Sequence, residues 1–218
     1  MKLHINSKKK ALLAFALAIA AGAAWAEAPV TSLTVKGRLV APSCTVNAPD
    51  DGVYQFGKIS PTMIKPGTTH TALVPQEKEW TIECDATTFM TLGAVDNVDG
   101  TASVVHNSNF GLDKVNETGK LGYYVVRMLG GKVDDADSGL FSTTGTTFIN
   151  EAFVDIVHYR NGYRHGWSSA ANTMKAGRKF SAVLRVSPYL GGTSTMNGPI
   201  TETTELNGSM TLNFAFGL

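Results

Sequence analysis

The chain has 218 residues, 43% of them hydrophobic and 9% aromatic, with 19 basic against 18 acidic side chains and two cysteines. A charge this balanced argues against a nucleic-acid partner, and two cysteines exclude a disulfide-dense mini-domain. One domain of this size can bury its own core.

The first 26 residues read as an export signal. Lys2, Lys8, Lys9 and Lys10 precede an apolar run at 11–21, and Ala24-Trp25-Ala26 supplies a small-residue cleavage site. The run is too short to cross a bilayer, and nothing later offers about 18 uninterrupted apolar residues, so no membrane span is expected in the mature protein. Removing four lysines and no acid leaves a mature chain from Glu27 with a net charge of about −3, which again argues against nucleic acid.

A strand is expected at 31–40. Its side chains alternate faces, placing Thr31, Leu33, Val35, Gly37 and Leu39 on one side and Ser32, Thr34, Lys36 and Arg38 on the other. Such a terminal strand has two possible homes, its own sheet or a neighbour's. Cys44 and Cys84 follow, and in an exported chain they suggest a single bridge; the alternative is two independent buried thiols. A bridge closing a loop of roughly 40 residues would stabilise the fold by about 4 kcal/mol. Neither cysteine has a CxxC partner or a histidine at zinc-finger spacing, so no metal is expected.

Further strands are read at 53–56, 79–84, 89–95, 122–128, 148–159, 163–168, 180–186 and 210–216, rich in Val, Ile, Thr and aromatics and bounded by Gly, Asn, Asp or Pro. Asn161-Gly162 between 154–159 and 163–167 predicts a hairpin with a type I′ turn. Polar stretches at 96–109, 130–147 and 190–206 read as loops, and 170–175 as a turn of helix. The pattern is all-β, a sandwich.

The run Leu33-Thr34-Val35-Lys36-Gly37-Arg38-Leu39-Val40-Ala41-Pro42-Ser43-Cys44-Thr45-Val46 resembles the donor strand and first cysteine segment of pilins of the bacterial chaperone-usher pathway. The likeness extends to Tyr54-Gln55-Phe56-Gly57-Lys58-Ile59, to Trp80-Thr81-Ile82-Glu83-Cys84 and to the alternating C-terminus. It implies an incomplete immunoglobulin-like β-sandwich with an N-terminal donor strand: signal peptide 1–26, extension 27–41, pilin domain 42–218. It further implies an exported fimbrial subunit polymerised by donor-strand exchange and contributing to adhesion. A periplasmic pilus chaperone first fills the open groove, and at the outer-membrane usher the neighbouring subunit's strand replaces it. By register from Cys44 the pocket-filling residues are Thr31, Leu33, Val35, Gly37 and Leu39, with Gly37 at a shallow pocket. Met210, Leu212, Phe214, Phe216 and Leu218 would edge the groove and meet the chaperone. Thr31 departs from the larger apolar residue often found there in the family, and Gly217 from a common tyrosine.

Other constellations carry less. His158, Tyr159, Arg160, Tyr163, Arg164, His165 and Trp167 form a polar-aromatic cluster that a receptor sugar or anion would suit if it stood on one hairpin face. The acidic stretches at 96–100 and 134–139 lack calcium-loop spacing. His70 and His106 stand without a nucleophile nearby in sequence, and no catalytic motif is present, so neither catalysis nor a cofactor is expected. The rival reading is a self-complemented secreted or periplasmic β-sandwich that binds a ligand through its long loops.

Overall fold

The computed structural model describes residues 30–150 and 154–218; the export signal lies outside them. The chain divides into two units, Met1–Val40 and Ala41–Leu218. In the first, residues 30–40 form neither strand nor helix, and Leu33, Val35 and Leu39 are almost wholly exposed.

The second unit is all-β. Its strands are β1 (Cys44–Asn47), β2 (Thr71–Ala72), β3 (Gln76–Thr88), β4 (Met90–Asp96), β5 (Phe110–Gly111), β6 (Lys114–Val115), β7 (Gly119–Lys120) and β8 (Gly122–Val133). They continue with β9 (Ala136–Asp137), β10 (Gly139–Thr143), β11 (Val154–Ile156), β12 (Arg164–Ala170), β13 (Thr173–Met174), β14 (Gly177–Leu190) and β15 (Met210–Phe216). The first sheet runs β1-β3-β14-β8-β11 and the second β10-β12-β4-β15, with antiparallel neighbours throughout. Lettered in chain order, β1, β3, β4, β8, β14 and β15 become A to F, and the sheets read A-B-E-D and C-F. That is the immunoglobulin-like arrangement up to its sixth strand. A seventh strand, which would lie beside β15, has no counterpart among the described residues. The hairpin partners β10 and β12 extend the second sheet on its other side.

Period-two alternation builds the core between these sheets. In β8, Tyr124, Val126, Met128 and Val133 are buried while Tyr123, Val125, Arg127 and Leu129 are half-buried on the opposite face. Trp167 of β12 crosses the core, its indole N–H donating to the Ser181 carbonyl of β14 at 2.9 Å, with its ring 5.3 Å from that of Phe180. Cys44 and Cys84, paired in register, form the expected disulfide with their Cα atoms 4.1 Å apart.

Several expectations are corrected. Residues 53–56 form no strand, because β3 takes their carbonyls through side chains: Lys78 Nζ donates to Val53 O and Gln76 Nε2 to Gln55 O. Tyr54 anchors the segment instead, its hydroxyl donating to Leu184 O at 2.9 Å. The supposed loop 130–147 holds the end of β8, then β9 and β10. Gly130, at φ +55°, sits where the β8–β14 register slips by a bulge, and Asp134 and Asp135 are both left-handed in a two-residue turn. Asn161 and Gly162 adopt the left-handed pair that a type I′ turn requires, yet the flanking strands do not pair with each other. β11 joins β8 in the first sheet and β12 joins β10 and β4 in the second, so the turn is a crossing between sheets. Of the strand expected at 148–159, residues 151–153 lie outside the described ones, and among the rest only β11 is strand. The turn of helix at 170–175 is a reversal through Asn172 (φ 56°) into β13.

Candidate functional site

The two lateral ends of the second sheet differ. At the β10 end, Phe148 stacks on Phe141 with ring centroids 3.9 Å apart, and Thr143 Oγ1 donates to Thr147 O at 2.7 Å, so following chain packs against that strand. At the other end, β15 pairs with β4 alone among the described residues. The hydrogen bonds Asn97 N to Ser209 O and Gly217 N to Phe89 O set the phase. Because hydrogen-bonded pairs alternate along an antiparallel ladder, Thr211, Asn213 and Ala215 address β4 with their main chain. The N–H and C=O groups of Met210, Leu212, Phe214 and Phe216 therefore point outward from the unpaired edge.

The same four residues turn their side chains to the inner face, and none of them is fully buried. Beside Leu212 and Phe214 lies a small apolar cleft, with room for about one water, between the two sheets. Trp80, Ile82, Met128, Ala182 and Leu184 of the first sheet face Leu92 and Trp167 of the second across this cleft. Beyond it, Phe216 and Leu218 are each 50% exposed. Thr91 Oγ1 donates to Gly217 O at 2.7 Å and fixes the end of β15. An edge with free main-chain groups and an apolar gap beneath is suited to receive an extended segment with every second side chain apolar.

The residues singled out from sequence are distributed accordingly. Met210, Leu212, Phe214, Phe216 and Leu218 lie along the edge; Thr31, Leu33, Val35, Gly37 and Leu39 lie in the exposed extension. Of the floor of the cleft, Leu92 and Leu184 were not singled out, and Trp80 and Trp167 were noted for other reasons, one in a resembling segment and one in the polar-aromatic cluster. The only sequence signal for the floor was the inward phase of the strands that carry it.

The polar-aromatic cluster is split: the His158 and Tyr163 rings stack at 4.4 Å beside His165, and others are committed elsewhere. Trp167 and His165 are buried, Tyr159 packs on Phe110 at 4.8 Å, and Arg160 pairs with Asp99. The acidic stretches are committed within the fold. Asp96 is buried, which pushes its carboxyl above the ordinary 3.8, while it accepts the Gly111 and Val98 N–H groups at 2.9 and 3.1 Å. Asp134 is held below 3.8 by the backbone N–H groups of Arg178 and Lys179, both 2.9 Å from its Oδ1. His70 meets Ser103 at 2.9 Å and His106 meets Ser108 at 2.8 Å. No group of metal-ligating side chains occurs among the described residues.

A family model described as "Protein of unknown function (DUF1120)" matches residues 33–122, from the extension to the first residue of β8. No curated protein matches the chain. Among solved structures it is similar to the P pilus rod subunit PapA, at 16% identity and a TM-score of 0.39, over 80% of this chain and 99% of that one. It is also similar to a subunit in a chaperone-usher pilus structure concerned with rod uncoiling, at 17% identity and a TM-score of 0.42, over 87% and 96% of the two chains.

Proposed function

We propose that this protein is a structural pilus subunit, exported to the periplasm and polymerised at the cell surface by donor-strand exchange. One observation carries the reading: among the described residues β15 pairs with β4 alone and leaves its other edge free beside an apolar cleft, in a chain whose extension is exposed and alternates apolar side chains. The extension, 27–41, is the donor and the body, 42–218, the receiver. In this reading a periplasmic chaperone occupies the edge first, gripping Met210, Leu212, Phe214, Phe216 and Leu218. At an outer-membrane usher, Thr31, Leu33, Val35, Gly37 and Leu39 of the next subunit take its place. Burying Leu33, Val35 and Leu39 contributes about 1.5 to 3 kcal/mol each before the cost of ordering the strand. The protein's work is then assembly and cell attachment, with no catalytic step.

The test is complementation. A mature chain lacking residues 27–41 is expected to aggregate or unfold alone and to be rescued by a peptide covering residues 31–40, read by thermal melting and size-exclusion chromatography. A truncated chain that is a stable monomer indifferent to the peptide refutes the proposal. A full-length chain that is a stable monomer and loses its fold on truncation favours self-complementation.

A further inference from the structure

The root of the extension is held by a small constellation that the disulfide does not explain. In the β1–β3 ladder, Cys44 and Cys84 form a non-hydrogen-bonded pair, so Ser43 and Asp85 should exchange two main-chain bonds. Only one is made, Asp85 N to Ser43 O at 3.0 Å. The Ser43 N–H donates instead to the Asp85 side chain, Oδ1, at 2.9 Å, and the Asp85 carbonyl takes the Arg178 guanidinium. The ladder stops there, with residues 41–43 outside any strand although β3 continues to Thr88. Pro42 adds to the stop: its ring holds φ near −65°, away from antiparallel strand values.

We infer that Asp85, seconded by Arg178, is a positioning residue that clamps Ser43 and so confines the joint between the body and a lent strand to residues 41 and 42. The inference rests on the polymerisation reading. If residues 31–40 lie in a neighbour's groove, consecutive bodies are joined through two residues, one of them proline, because Ser43 is pinned at both main-chain groups and Cys44 is pinned covalently. A joint this short couples the orientation of one subunit to the next. Without the clamp, rotation spreads from residue 41 to the disulfide and the fibre bends more easily.

The experiment compares fibres grown from full-length mature chains: wild type, Asp85→Ala, Asp85→Asn and Arg178→Ala. Fibre stiffness is read as persistence length in electron micrographs, and the Ser43 amide by hydrogen exchange. Asp85→Ala is expected to form fibres of shorter persistence length, with the Ser43 amide exchanging about threefold faster or more for one lost hydrogen bond. Asp85→Asn, which keeps an Oδ1 acceptor, restores both. Arg178→Ala, which removes only the guanidinium from the Asp85 carbonyl, gives a smaller softening and tests the clamp should Asp85→Ala not fold. Wild-type fibres with Asp85→Ala and Arg178→Ala fibres of equal stiffness overturn the inference alone. A wild-type chain that forms no fibres overturns the polymerisation reading and this inference with it.

Discussion

Replacing Gly37 by leucine separates folding from assembly. Gly37 is exposed, so an added side chain has nothing to displace among the described residues. The stability of the body should stay within about 0.5 kcal/mol of wild type, as for an exposed surface change. In the proposed assembled state residue 37 would lie between Val35 and Leu39 on the inward phase, at the position where the resemblance implies a shallow pocket. Forcing a leucine into a site without room for it costs about 1 to 3 kcal/mol, which lowers the equilibrium for strand lending about 5- to 150-fold. The assay mixes a labelled donor chain with an unlabelled receiver and follows the complex by fluorescence anisotropy and size exclusion, with thermal melts as the folding control. Lys36→Ser, on the outward phase, should polymerise as wild type does. Gly37→Leu chains that assemble at the wild-type rate and yield would refute the assigned register, and loss of the folded body would refute the separation.

Replacing Cys44 and Cys84 together by serine frees a loop with a sequence separation of 40 and should cost about 4 kcal/mol, read from the denaturant midpoint of wild-type and variant. Trp167→Phe removes the indole N–H from the Ser181 carbonyl in the buried core; a loss of about 1 to 3 kcal/mol by the same measurement is expected, and an unchanged midpoint would remove this bond as a tie between the sheets. Asp134 has a lower pKa folded than unfolded, so its contribution is present above 3.8 and lost as pH falls through the folded value. Asp134→Asn should therefore lower stability at pH 5 to 7 and converge with wild type in acid, as urea midpoints taken from about pH 6 down to 2 would record.

Where local pattern and tertiary partner agree, the sequence was a sufficient guide. β4, β12 and β15 lie within two residues of the strands read at 89–95, 163–168 and 210–216, because each alternates and is bounded by turn residues. Export-compatible cysteine usage was enough to pair Cys44 with Cys84. Glycine and aspartate misled at 130–147, since Gly130 and Asp134-Asp135 have the composition of a loop while their left-handed backbones serve a bulge and a tight turn inside paired strands. Asn161-Gly162 was read correctly as a turn and wrongly as a hairpin, because a turn type depends on two residues and a strand's partner depends on the whole sheet.

By itself the sequence determined an all-β chain, one bridge, an alternating extension and an alternating C-terminus, all properties of neighbouring residues. Only the tertiary structure decided that β15 ends its sheet among the described residues, that its outward main-chain groups belong to Met210, Leu212, Phe214 and Phe216, and that Trp80 and Leu184 line the cleft beside it. An unpaired edge is a statement about which strand is missing from beside another. No local periodicity encodes that, because the same alternation builds a strand in the middle of a sheet and a strand at its border.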